Sequence, residues 1–321
     1  MTKGTKLFKT CSVAGFTVLA VLFMSALAVA GPNRPLEVPE GYVITPFGYF
    51  HPSCALRVAE GETLLADGRV EHADGSVDAS VPVCNYPHYT ATGLLVTADT
   101  KGVSGADPTV NGWLEAIWAT TATSYGKISA TWTVPPPPNT NDGQTLFFFP
   151  GFEDYNDVIS IVQPVLQFGP SAAGGGSYWA VASWNCCMNG IAWNSPVLNV
   201  NTGDTILGTI TSTCKAGLES CAKWNVISED NTTGKQTTLA KTPSEGQVWN
   251  WAFGAVAEVY GVDQCGDYPA NADVVFTVRL YDQNRKLIAN PPWEPAYAGS
   301  GTTPWCNYGL YVTAKKETLV Y

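Results

Sequence analysis

From Asn111 to the C-terminus the chain breaks repeatedly into short runs of β-branched and aromatic residues, each closed by Gly, Pro, Asn or Asp. That rhythm constrains the fold more than any other feature, because it suits strands and turns and offers no amphipathic helical period. The runs predict strands at 127–134, 145–149, 158–168, 178–184, 190–200, 204–213, 223–229, 235–240, 247–262, 273–282 and 308–315. The proline run 135–138 must leave any sheet, since proline cannot donate to a ladder. About ten strands over roughly 200 residues are enough for an all-β fold: one two-sheet antiparallel β-sandwich with its own core.

Residues 1–30 read as a secretory signal peptide, with Lys3, Lys6 and Lys9 ahead of an apolar run and Ala28-Val29-Ala30 as the cleavage site. The expected mature protein is therefore secreted, with no membrane association after cleavage. Losing Cys11 with the signal leaves eight of the nine cysteines, and an even number in an exported chain favours disulfides. Cys214 and Cys221 flank a short tip and suit a hairpin staple, while Cys54 and Cys84 suit a loop closure. Pairing among Cys186, Cys187, Cys265 and Cys306 stays open.

Residues 31–107 form a small N-terminal region that holds all three histidines, His51, His72 and His88, and no tryptophan. It ends in a linker-like stretch at 99–109, and the sandwich is expected over 108–321. The spacing His51-x-x-Cys54 and Cys84-x-x-x-His88 superficially resembles a zinc site, but in an exported chain the disulfide reading wins, so neither metal nor cofactor is expected. A net charge of −10 argues against nucleic acid as a partner.

The absence of histidine from residues 89–321 excludes a Ser-His-Asp or Cys-His centre within the sandwich, so an enzyme there must use carboxylates and amides. Two stretches supply them. In the strand predicted at 158–168, alternation places Val162, Pro164, Leu166 and Phe168 on one face and Ile161, Gln163, Val165 and Gln167 on the other. In GQVWNWAFGAVAEVYGV, Glu258 interrupts an uncharged run and shares a face with Val256 and Tyr260. A desolvated carboxyl there would have a raised pKa suited to proton exchange; a solvent-facing Glu paired with Lys223 or Arg279 is the other reading.

These residues resemble the glutamic peptidases, or eqolisins, from about Asn111 to Lys315. Gly112-Trp113 with Ala116 is similar to the family's opening segment, and KISATWTVP (127–135) to its strand ending in aromatic-Thr-Val-Pro. Phe148-Phe149-Pro150-Gly151 resembles an Ala-Trp-Val-Gly step, and Gln163 follows Gly151 by twelve residues, as the family's catalytic glutamine does. Ala257-Glu258 resembles the segment bearing the catalytic glutamate, and residues 224–238 the hairpin with an Asn-x-Thr-Thr-Gly turn. The resemblance implies a lectin-like (concanavalin-type, jelly-roll) sandwich and catalysis by Gln163 and Glu258. It also implies a substrate cleft with Trp113, Phe149, Glu153 and Trp184, and a protein or peptide substrate. Phe149 replaces a tryptophan, Glu153 an aspartate and Ser183 a glutamate, while Gln167 mimics the glutamine motif at a poorer spacing.

The leading expectation is a monomeric, secreted acid endopeptidase kept silent by residues 31–107 as a pro-segment, with Gln163 and Glu258 converging from adjacent strands. A carbohydrate-binding, lectin-like sandwich without catalysis is the alternative from another class. A glycoside hydrolase would need two converging acids where the sequence offers one acid and one amide.

Overall fold

The computed structural model describes Met1 and residues 34–97, 108–158, 160–218, 220–271 and 273–321. The signal segment and most of the 99–109 linker lie outside the described residues. The fold is an antiparallel β-sandwich of two large sheets. The front sheet runs β18 (Glu294–Tyr297), β6 (Gly112–Thr120), β16 (Trp251–Tyr260), β8 (Thr145–Glu153), β9 (Ile161–Ser171), β10 (Gly174–Cys186), β11 (Ala192–Asn194) and β3 (Ala55–Arg57), with β12 (Leu198–Asn199) also on β10. The back sheet runs β15 (Lys235–Pro243), β14 (Lys223–Asp230), β13 (Thr205–Ser212), β7 (Tyr125–Thr133), β17 (Asp273–Asp282), β20 (Lys316–Val320) and β19 (Gly309–Val312). Two small hairpins, β1 (Val43–Thr45) with β2 (Gly48–Phe50) and β4 (Thr63–Leu64) with β5 (Val70–Glu71), belong to the N-terminal region.

The two sheets differ in how their sequences read, and the reason is burial. Strands β13, β14 and β17 of the back sheet alternate between buried and more exposed positions, as expected of a sheet with one wet face. Strands β8 and β16 of the front sheet are buried at every position. One face of the front sheet meets the back sheet through Leu114, Phe148, Phe152, Val162 and Leu166, packed with Ile128, Trp132, Trp224 and Phe276. Its other face carries Phe147, Phe149, Ile161, Val165 and Val256, and these are covered by Val38, Tyr42, Ile44, Tyr49 and Phe50 of the N-terminal region. That region is welded on further by β3, which pairs parallel with β11, and by Val58, Leu64 and Val70, which enter the core between the sheets.

Four disulfides are formed: Cys54–Cys84, Cys186–Cys187, Cys214–Cys221 and Cys265–Cys306. None of them joins the N-terminal region to the sandwich. Two carboxyls are fully buried between the sheets. Glu115 accepts from the Gly309 N–H at 3.0 Å, and burial pushes its pKa up to about 9. Glu317 of β20 is pushed well above its ordinary range by burial alone, and its carboxyl fits against the bare Cα of Gly254, where a Cβ would collide with it.

Candidate active site

Register places the polar side chains of the covered face in rows. Glu258 pairs with Phe147, which pairs with Gln167, while Trp113 faces Glu258 from β6. In a second row Phe253 pairs with Gly151, and one step from the Phe152–Val162 pair brings Gln163 opposite that glycine, with Trp184 on its far side. The side of Gly151 where a Cβ would stand is occupied by Ile161. The expectation that Gln163 and Glu258 sit on adjacent strands fails: β8 lies between β9 and β16, because β16 pairs with β6 on one side and β8 on the other. Strand order is a property of the whole sheet and is not encoded in either local motif.

The two glutamines have different partners. Gln167 is satisfied within its own hairpin, donating to the Gly174 carbonyl at 2.8 Å and accepting from the Ser171 hydroxyl at 2.9 Å. Gln163, wholly buried, donates through Nε2 to the Pro46 carbonyl at 2.8 Å, and its Oε1 has no partner. A glutamine whose partner comes from a different region of the chain is the one that could exchange that partner for a substrate.

Glu258 is 2% exposed, so the desolvated reading holds and the solvent-facing pairing with Lys223 or Arg279 does not. The Tyr260 hydroxyl donates to its Oε1 at 2.5 Å, the Trp113 indole donates as well, and Oε2 has no partner. Burial pushes the Glu258 pKa up to about 8; the two donors oppose the shift and the nearby Glu153 charge adds to it. Glu153 is thus close enough to press on Glu258. Phe149, Trp113 and Trp184 lie on the same covered face, whereas Ser183 points between the sheets to the Ser228 hydroxyl at 3.0 Å. The sequence motifs missed the tip of the β1–β2 hairpin, a two-residue turn of Pro46 and Phe47 inserted against this face. The signal was present in GYVITPFGYF, two short apolar runs separated by a proline-containing turn.

The aromatic side chains of this face, including Trp113, Trp184 and Trp251, are buried. Among the described residues, Asp142, Asp263 and Asp267 bring ligand atoms within 4.8 Å of one another. Asp267 already accepts from Thr140 and from the N–H groups of Asp263 and Gln264.

Fold and site together define a β-sandwich with a covered, amide-and-carboxyl cleft on one sheet. No family model matches the chain, and no curated protein matches it. Among solved structures it is similar to scytalido-glutamic peptidase with a peptide-based transition-state analogue, at 15% identity over 65% of this chain and 98% of that one, with a TM-score of 0.47. It is similar to SCP-B, an eqolisin-family peptidase in complex with the tripeptide Ala-Ile-His, at 15% identity over 65% and 98% with a TM-score of 0.46. A third is aspergilloglutamic peptidase from Aspergillus niger, at 15% identity over 55% and 98% with a TM-score of 0.34. Likeness at these values gives no residue of this chain a role.

Proposed function

We propose that the chain is a secreted acid endopeptidase acting through Gln163 and Glu258, with residues 31–107 as its inhibitory pro-segment. The observation that carries this reading is the Gln163 amide donating to a buried main-chain carbonyl on the same face as a desolvated Glu258 whose Oε2 is unpartnered. In the uncovered enzyme Glu258, as carboxylate, takes a proton from a water that attacks the scissile carbonyl, while the Gln163 amide donates to the developing oxyanion. Protonated Glu258 then gives its proton to the leaving amine. Tyr260 and Trp113 hold the carboxyl in place. Covering the cleft silences this chemistry twice, by filling the oxyanion seat and by keeping Glu258 too desolvated to ionise at acid pH.

Acid release of the cover has a residue-level basis, though not through all three histidines. His72 pairs with Glu62 and Asp78 inside the N-terminal region, and hydrogen bonding to Glu62, then to Asp78, raises its pKa. His51 stacks on Tyr86 of the same region. His88 instead stacks on Phe50, 4.7 Å between ring centroids, and also lies beside Phe47 at the hairpin tip. Burial lowers its pKa from 6.5 to about 4, so the packed cover is fully supported above pH 6.5 and loses that support as the pH falls through 4.

Full-length protein is therefore expected to be latent at neutral pH and to shorten itself near pH ~4, with the cut before Trp113. Casein clearing and N-terminal sequencing over an acid time course check this; an uncut 31–321 protein that is fully active at once removes the pro-segment role. Gly48→Ala probes the cover directly, since Gly48 has φ +117 and an added Cβ would collide with the Tyr89 carbonyl. The variant is expected to lose latency, seen as acid proteolysis without a lag.

A further inference from the structure

The partner of Gln163 carries information about what the cleft accepts. The Ile44–Gly48 segment follows a path that a bound peptide would need. The Ile44 carbonyl accepts from the Ala172 N–H at 2.8 Å at the β9–β10 turn, and the Pro46 carbonyl accepts from Gln163. Two residues on, the Gly48 N–H donates to the Tyr260 hydroxyl, which itself donates to Glu258. Consecutive Cα atoms are about 3.8 Å apart, so the span from Pro46 to Gly48 is under ~8 Å. One short piece of main chain thus meets Gln163 directly and Glu258 through the Tyr260 hydroxyl, and the carbonyl in the oxyanion donor's reach belongs to a proline.

We infer that the cleft takes peptides with proline on the acyl side of the bond to be cut, and that the Pro46–Phe47 unit holds that place in the full-length chain. This rests on the peptidase reading with Gln163 as oxyanion donor. Pro46 is buried while Phe47 is partly exposed, so the residue supplying the carbonyl is the one the cleft encloses. Proline has no N–H, so a site enclosing it needs no acceptor at that position, and its fixed φ reduces the ordering cost of presenting the carbonyl. The tip itself is held back from cleavage by its turn. Thr45 pairs with Gly48, and the Thr45 hydroxyl donates to the Gly48 carbonyl at 3.0 Å, which sends the chain back along β1 instead of onward through the cleft. In a linear substrate, water adds to the prolyl carbonyl carbon and the C–N bond to the next residue breaks. The proton taken up by Glu258 goes to the departing nitrogen.

The test uses acid-incubated full-length protein and quenched-fluorescent peptides identical except for Pro, Ala or Leu on the acyl side of a Phe. The expected result is at least a tenfold higher kcat/KM for the Pro peptide, with mass spectrometry placing the cut at Pro-Phe. Cleavage of the Ala or Leu peptide at an equal or higher rate overturns the specificity and leaves the peptidase reading standing. No cleavage of any peptide or of casein overturns both. A second arm uses full-length Pro46→Ala, expected to shorten the acid lag at least threefold because the tip fits its seat less well; an unchanged lag counts against the tip as a substrate-like occupant.

Discussion

Glu258→Gln is expected to lower acid proteolysis by at least about a hundredfold while leaving the fold in place. The expectation follows from burial: at acid pH the covered Glu258 is already neutral, so the amide is close to isosteric with what it replaces and can still accept from Tyr260. Only the base is lost, and general base catalysis is typically worth about 10²–10⁴ in rate. Thermal melts at pH 4 should agree with wild type within a few degrees, and at pH 8 the variant should melt no lower. Gln163→Ala should cost about 10²–10³ in kcat, the size of a single oxyanion donor. Gln167→Ala is the control: it breaks the Gly174 and Ser171 bonds and should lower the melting temperature without that loss of kcat. Proteolysis retained by Glu258→Gln, or lost in Gln167→Ala but kept in Gln163→Ala, would contradict the assignment.

The sandwich should be most stable in acid and weaken on approach to neutral pH. Glu115 has a folded pKa of about 9 against an ordinary 4.5, so the folded state binds more protons than the unfolded state between those values. Its contribution is full below 4.5 and declines as the pH rises toward 9. At about 1.4 kcal/mol per pKa unit, the fall from pH 4.5 to 7 is on the order of 3 kcal/mol from Glu115. Glu317 acts in the same sense. Urea melts from pH 4 to 8 should show this decline, and Glu115→Gln with Glu317→Gln should flatten the slope whatever they do to absolute stability. A wild-type stability that rises over this range would refute it. His88 has the opposite sign, so one pH drop strengthens the sandwich while loosening its cover.

Much of this was legible in the sequence where local period alone decides geometry. Alternation correctly separated Gln163 from Val162, and all eleven predicted runs overlap the long strands or β11, β12 and β19. Strand β6 escaped because GWLEAIWAT is buried on nearly every residue, including Glu115, so no alternation marks it. The different partners of Gln163 and Gln167 depend on the turn at Ser171 and Gly174 and on the β1–β2 hairpin, and the separation of Gln163 from Glu258 depends on β8 lying between their strands, none of which a local motif encodes. Cys214–Cys221 follows from a short tip and Cys54–Cys84 from being the two cysteines of the N-terminal region, whereas Cys265–Cys306 spans 41 residues and needs the folded chain.

The placement of the four disulfides sets how activation would end. Cys54–Cys84 closes within the N-terminal region and the other three close within the sandwich, so a single cut between the two parts leaves no covalent tether. If residues 31–107 are a pro-segment, then before the cut the cover would compete with substrate at an effective concentration in the roughly millimolar range typical of short linkers, and afterwards only at its bulk concentration. Dilution would then favour release, and the detached, internally stapled fragment would act as an inhibitor whose potency reads out the whole contact face, from the Pro46–Gln163 bond to the β3–β11 pairing and the packing of Val58, Leu64 and Val70.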